Sequence, residues 1–277
     1  MSVSRTPARM KKVKIAVAGA SGRMGKRILS LGYADPDFQI AGAMERPDAD
    51  LLGADVGPLI GQDATGVKVT SDPEEALASA QVLIDFTHPS ATEDHVRAAV
   101  KNRVGLVIGT TGLTEKTRSA IQQASRRIAI LQSPNMSAGA NFLFELVSRA
   151  AAVLGGKFDI EITESHHRMK KDAPSGTALE LARLIAEIKG WNPKRSFLFG
   201  RHGETGERAQ HTIAIHALRG GDVVGEHTVS FLGNGEILEL VHRATSRDAF
   251  ARGALLAAKF IARKKKGFYN MRNVLQS

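Results

Sequence analysis

Two histidines and three cations fall within six residues at His166-His167-Arg168-Met169-Lys170-Lys171, just ahead of Ser175-Gly176-Thr177. Histidine is the side chain whose ordinary pKa lies near neutrality, so it can give or take a proton there. A lysine crowded by other cations has a lowered pKa, which suits it to proton donation. Ser175 follows Pro174 and precedes an amphipathic run from Ala178 to Ile185, the place of a helix N-cap. The N–H groups of Gly176 and Thr177 would then stay free at the positive end of the helix dipole, ready for a carboxylate or a phosphate. Any one of these residues alone reads best as part of a solvated basic turn. An acid–base pair, extra positive charge and an anion-ready helix start on one connection together point to chemistry on an anionic substrate.

That connection needs a strand before it and a helix after it. Phe158 to Thr163 alternates apolar and polar residues as a half-buried strand does, and Gly190 closes the helix as a C′ residue. Further upstream, the short apolar run Val13 to Ala18 reads as a buried parallel strand. It enters Gly19-Ala20-Ser21-Gly22-Arg23-Met24-Gly25 and then a helix, the context in which glycines let a pyrophosphate approach backbone. A second strand, Phe38 to Met44, ends in Glu45-Arg46. Glu45 stands 26 residues past Gly19, near the place of a ribose-binding acid, and Arg46 could hold a 2′-phosphate. Later strands end in Phe86-Thr87, in Gly109-Thr110-Thr111-Gly112 and in Ser133-Pro134-Asn135-Met136. In a doubly wound sheet such carboxyl-terminal loops ring the ligand crevice.

From residue 137 the pattern changes to a helix (Gly139 to Leu154), the histidine connection and then mostly strands. Gln210 to Leu218, Val223 to Leu232 and Glu236 to Ala244 read as antiparallel, with Gly233-Asn234-Gly235 as a hairpin turn. Residues 200–210 are polar and expected to form a mobile loop. The expected outer face of these strands carries Val229, Phe231 and Leu238 or their neighbours, for which one helix leaves a symmetry mate as the cover. Four segments follow: a disordered basic leader (1–12), a dinucleotide-binding domain (13–136), a substrate and oligomerisation domain (137–245), and a helix and tail returning to the first domain (246–277).

The chain of 277 residues has no cysteine, which excludes disulfides, thiolate metal sites and a thiol nucleophile. No apolar run reaches membrane-spanning length and the first residues lack a signal-peptide core, so a cytoplasmic protein without a membrane partner is expected. The formal net charge is +10, of which +5 lies in residues 1–14 and +4 in residues 263–266. Two such separated runs, with aromatics only 5% of the chain, argue against a nucleic-acid footprint. No metal site is expected.

Three stretches carry a family resemblance: the glycine loop from Gly19 to Gly25, Gly109 to Gly112, and above all Glu164 to Ala178. They closely resemble the dihydrodipicolinate reductase family, also called 4-hydroxy-tetrahydrodipicolinate reductase, of the diaminopimelate route to lysine. The likeness runs from about Val13 to Leu275 and includes Gly225-Glu226-His227-Thr228; a family histidine seen in some members is Met169 here. It implies a Rossmann-like doubly wound parallel sheet plus a second α+β domain with a mixed, largely antiparallel sheet. It further implies His166 as acid–base and Lys170 as proton donor, with His167, Ser175, Gly176 and Thr177 holding the carboxylates of a small dicarboxylate substrate. NADPH or NADH would lie along the glycine loop (Gly19 to Met24), Glu45, Arg46, Phe86, Gly109 to Thr111 and Ser133 to Met136, in a homotetramer. Hydride would reduce a conjugated cyclic imine, and a proton would then reach the enamine carbon from Lys170 or His166. The rival readings are another two-domain Rossmann oxidoreductase and a non-catalytic dinucleotide-sensing protein.

Overall fold

The computed structural model describes residues 11–277, so all but the last two residues of the expected leader lie outside the described residues. In chain order the first elements are β1 (Val13–Ala18), α1 (Arg23–Ala34), β2 (Phe38–Met44), α2 (Val56–Leu59), β3 (Val69–Thr70) and α3 (Pro73–Leu77). Next come β4 (Val82–Asp85), α4 (Pro89–Asn102), β5 (Gly105–Ile108), α5 (Glu115–Ala124) and β6 (Ala129–Gln132). Then follow α6 (Ala138–Leu154), β7 (Asp159–His166), α7 (Gly176–Lys189), α8 (Pro193–Ser196), β8 (Phe197–Phe199) and β9 (Ile213–Arg219). The chain closes with β10 (Gly225–Gly233), β11 (Glu236–Ala244), α9 (Asp248–Ile261), β12 (Gly267–Tyr269) and α10 (Met271–Leu275). The described residues divide into two compact units, 11–133 with Ala251–Ser277, and Pro134–Phe250.

In the first unit seven parallel strands take the order β12-β6-β5-β4-β1-β2-β3. Apolar runs such as Val82-Leu83-Ile84 serve both faces, as strands covered on two sides must. Ala16, Leu83, Leu106 and Ile130 pack with residues of α3, α4 and α5. On the opposite face Ile15 and Ile40 meet α1 at Gly32, where Leu255 of α9 also arrives. The strand order reverses between β1 and β4, so their carboxyl ends open the crevice in which α/β proteins bind ligands.

The second unit holds a five-stranded sheet in the order β11-β10-β7-β9-β8. It is mixed: β7 pairs antiparallel with β10 and parallel with β9. The three strands from Gln210 to Ala244 therefore do not form one ladder, because β7 stands between β9 and β10. Ile160, Ile162, Ile213, Ile215, Val229 and Phe231 pack with α6 and α7 in one core. Val229 and Phe231, expected on the outer face, are thus inner residues at 0% and 1% exposure, and Leu238, paired with Phe231, shares their side. The period of 2 was legible there but not its phase. The outer face carries neighbours of these residues, Ile237 and Val241, both exposed. Within the stretch 200–210, Arg201 and Arg208 both donate to Glu161, which also bonds His216. Although burial alone would raise it, those partners bring the Glu161 carboxyl down to about 2.

Candidate active site

Glu164 is the third residue from the end of β7 and is fully buried. Its Oε2 lies 2.6 Å from His166 Nδ1 and its Oε1 accepts from the Ser175 N–H at 3.0 Å. Arg219, at the end of the neighbouring β9, forks onto both oxygens at 2.8 and 2.7 Å and also donates to the Asp172 carbonyl. A buried carboxylate with four donors is well satisfied. Burial pushes Glu164 up, but Arg219, His166 and the Ser175 N–H outweigh it and hold the carboxyl below its ordinary value.

The same contacts orient His166. Burial lowers its pKa; Glu164 pulls the other way, and Lys170 and Arg219 push further down, so the net shift is downward. The ring is then neutral near pH 7, with Nδ1–H donated to Glu164 and the lone pair on Nε2. A methyl group at position 225 would stand 3.1 Å from that Nε2, so Gly225 leaves the ring its space. Lys170 holds Asp172 through both carboxylate oxygens at 2.9 and 2.8 Å. His167 is partly exposed on the same turn, and its carbonyl accepts from the Lys170 N–H.

At the start of α7 the Ser175 hydroxyl accepts from the Ala178 N–H, as an N-cap does. Among the described residues nothing takes the N–H of Gly176 or Thr177. His227 Nε2 is 3.0 Å from the Ser175 hydroxyl, its ring meeting His166 edge-on at 5.3 Å. Burial drives the His227 pKa down to about 3, with His166 adding to the fall, so it is neutral at any working pH. Asn135 reaches the Thr177 hydroxyl at 3.2 Å, and His242 Nε2 lies 3.2 Å from the Ser137 hydroxyl. The arrangement offers a fixed imidazole, an ammonium and a helix start on one connection of the second unit.

The first unit carries a cleft of about 750 Å³ over the β1 and β4 ends, lined among others by Gly19, Ser21, Gly22, Glu45, Arg46 and Phe86. Gly19 has φ +76°, open to glycine at little cost, and a Cβ at Gly25 would lie 2.0 Å from the Gly19 carbonyl. Gly22 caps α1 without a side-chain acceptor, leaving that helix start open to a phosphate. Glu45 takes the Ser21 N–H at 2.7 Å and its hydroxyl at 2.6 Å, while Arg46 is solvent-exposed beside Asp48. These features fit a dinucleotide. Gly109 lies against the Phe86 ring, and Thr110 is buried, bonding Asp85 and Thr87 rather than lining the cleft. Ala20, Ser133, Asn135 and Met136 are buried, and Arg23, Thr111 and Pro134 are exposed.

Several residues of these sites had no role in the sequence reading. Glu164 and His227 sat inside the quoted motifs unexplained. Arg219, Ser137 and His242 come from strands and turns up to 105 positions away from their partners, and no local spacing reveals such pairs. Asp85 is likewise buried, held by Thr87 and with His95 Nδ1 3.1 Å from its carboxylate. Burial raises its pKa, and His95 and Thr87 more than reverse this, leaving it lowered.

Comparison with known proteins gives the family. Family models described as "Dihydrodipicolinate reductase, N-terminus" and "Dihydrodipicolinate reductase, C-terminus" match residues 13–136 and 139–275. The chain is similar to the 4-hydroxy-tetrahydrodipicolinate reductase of Anaeromyxobacter dehalogenans (strain 2CP-1 / ATCC BAA-258), at 48% identity over 95% of this chain and 97% of that one. It is 46% identical to the enzyme of that name from Nitrosomonas eutropha, over 96% and 99%. Among solved structures it resembles a dipicolinate-bound dihydrodipicolinate reductase from Paenisporosarcina sp. TG-14, with TM-score 0.75 and 26% identity over 95% and 99% of the chains. An amine dehydrogenase from Mycobacterium smegmatis shares the fold alone, with TM-score 0.60 and 12% identity over 95% and 96%.

Proposed function

The chain belongs to the dihydrodipicolinate reductase family, and from that premise we propose how its own residues carry the reaction. It reduces 4-hydroxy-tetrahydrodipicolinate in lysine biosynthesis, and NADPH or NADH, when bound, supplies the hydride. The Gly19 to Gly25 loop and the open start of α1 hold the pyrophosphate, and Glu45 and Arg46 read the ribose end. Gly109 to Thr111 and Ser133 to Met136 shape the remaining cofactor loops, Thr110 and Gly109 by supporting Thr87 and Phe86.

In the second unit a substrate carboxylate takes the free N–H groups of Gly176 and Thr177. With the His227 Nε2–H donated to Ser175, the serine hydroxyl hydrogen is available to the same carboxylate. His167 adds a further donor. Lys170 leaves Asp172 for the substrate and delivers the proton to the enamine carbon. His166, fixed by Glu164 with its lone pair on Nε2, positions and relays that proton. The observation that carries this reading is the buried Glu164 carboxylate, which joins His166 and Ser175 and so ties the acid–base group to the anion-binding helix start.

A tetramer built through the outer face of the second sheet, where Ile237 and Val241 are exposed, and a cytoplasmic location complete the proposal. No helix among the described residues is long and apolar enough to cross a membrane. The test is turnover of freshly prepared substrate with each cofactor in turn: cofactor oxidation that depends on the substrate is expected with at least one, and its absence with both would overturn the reading.

A further inference from the structure

The two basic runs, whose separation in sequence argued against a nucleic-acid footprint, meet at one edge of the seven-stranded sheet, which removes that objection. All seven strands are parallel, so the residues leading into them share its amino-terminal edge. Lys11, Lys12 and Lys14 stand at β1, Arg103 before β5, and Arg126 and Arg127 before β6. Arg263, Lys264, Lys265 and Lys266 lead into β12. Nine of these ten are exposed and Lys14 is half-buried. None forms an ion pair among the described residues, and their charge equals the whole formal net charge of +10, so the rest of the chain sums to zero. A hollow of about 240 Å³ joins the runs directly, with Lys11 and Arg263 both lining it. The acids nearby, Asp35 and Asp37 ahead of β2, are already taken by Lys259. Aromatics are interleaved too: Lys264 lies 4.6 Å over Phe260 and 5.9 Å from Tyr269, and Phe268 is exposed.

We propose that this edge is a binding surface for the phosphate backbone of single-stranded nucleic acid, read without regard to sequence. From β12 to β1 the edge crosses four strand intervals, about 19 Å at roughly 4.8 Å each. The strands turn by roughly 20–25° per interval, so the edge twists through about 80–100°. A twisted line of cations follows a flexible polyanion and cannot lie flat on a bilayer. Unpaired cations gain most from phosphate because no carboxylate must first be displaced, and the exposed Phe268 ring beside them suits an unstacked base. The cofactor cleft opens at the opposite, carboxyl-terminal edge, so this surface leaves it clear.

The experiment measures binding of the full chain to a labelled mixed-sequence single-stranded RNA by fluorescence anisotropy across a salt series. Each phosphate contact contributes about 0.7 to the slope of log affinity against log salt. The triple variant Lys264→Glu, Lys265→Glu, Lys266→Glu should lose at least about tenfold in affinity and about 2 in slope. A control with the same net charge, Lys116→Glu, Lys157→Glu, Lys194→Glu, should bind close to the parent, and both triples should keep reductase activity. The proposal fails if the parent does not bind RNA at low salt, or if both triples lose equally, which would make net charge alone responsible. It also fails if the parent binds phosphatidylserine vesicles more tightly than the RNA.

Discussion

Replacing Glu164 by glutamine tests the proposed site at its most constrained atom pair. The carboxylate accepts from His166, Ser175 and both Arg219 nitrogens at 2.6 to 3.0 Å. An amide has one oxygen and one NH₂, so whichever way it is turned its NH₂ faces two of those donors. With NH₂ toward His166, the ring must move its proton to Nε2 and loses the lone pair there. With NH₂ toward Ser175, the backbone N–H that starts α7 is left unpaired. In both cases the Arg219 guanidinium loses its buried counter-charge and keeps only the more distant Asp172 carboxylate, a loss on the order of 3 kcal/mol, the low end for a broken buried pair. At about 2–4 °C per kcal/mol for chains of this size, the melting temperature should fall by roughly 10 °C. Turnover should fall by about 10²-fold or more, as when a general acid–base group is misdirected. The kcat limb governed by His166 should move further down in pH, because the attraction of Glu164 has gone. NADPH binding, whose cleft lies in the other unit, should stay near the parent value by calorimetry. Arg219→Lys keeps the charge but not the fork and should show a milder version of each effect. A Glu164→Gln protein with parental melting temperature and parental kcat would refute the reasoning outright.

Three further outcomes follow from the same geometry. His166→Ala and Lys170→Ala should lower kcat by about 10²–10⁴-fold, while His167→Ala should chiefly raise the substrate KM; steady-state kinetics decide, and a Lys170→Ala enzyme with near-parental kcat would move the proton source elsewhere. Arg46→Ala should weaken NADPH more than NADH, by about 1.5 kcal/mol, the low end for a charged hydrogen bond because the side chain is exposed; equal losses in calorimetry would show that Arg46 does not read the phosphate. His227 is held neutral down to about pH 3 in the fold, whereas the unfolded chain protonates it near 6.5. The unfolded state therefore binds the extra proton between those values, and stability falls as pH drops from 6.5 toward 3. The loss at pH 5 is about 2 kcal/mol, and His227→Asn should flatten that part of the denaturation profile.

The fold was legible because its signals are local. Apolar runs such as Val13 to Ala18 mark buried parallel strands, and glycines at 19, 22 and 25 mark a turn whose backbone must pass within van der Waals reach of a helix. Ser175 and Gly190 mark the two ends of α7, and both cap it as their types dictate. What the sequence did not show was the phase of β10. Val229, Thr228 and Phe231 alternate correctly in either register, and only the presence of both α6 and α7 on one side decides which set is inner.

The site was legible only in part, for a reason of the same kind. His166, Lys170 and Ser175 lie on one connection, so their conjunction is visible in a window of ten residues. What turns the conjunction into a site is not in that window. Arg219 and His227 arrive from β9 and β10, on either side of β7, and parallel or antiparallel pairing sets which of their residues stand beside Glu164. In the register found, Leu218 pairs with Ser165 and Arg219 with His166, so the guanidinium sits at the end of the ladder beside the buried carboxylate. A slip of one residue would send Arg219 to the other face and leave the buried Glu164 carboxylate with only His166 and the Ser175 N–H as donors. The register of β7 with β9 is therefore held by Glu164 as much as by the isoleucines beneath it, and the proton chemistry and the strand pairing depend on one carboxylate.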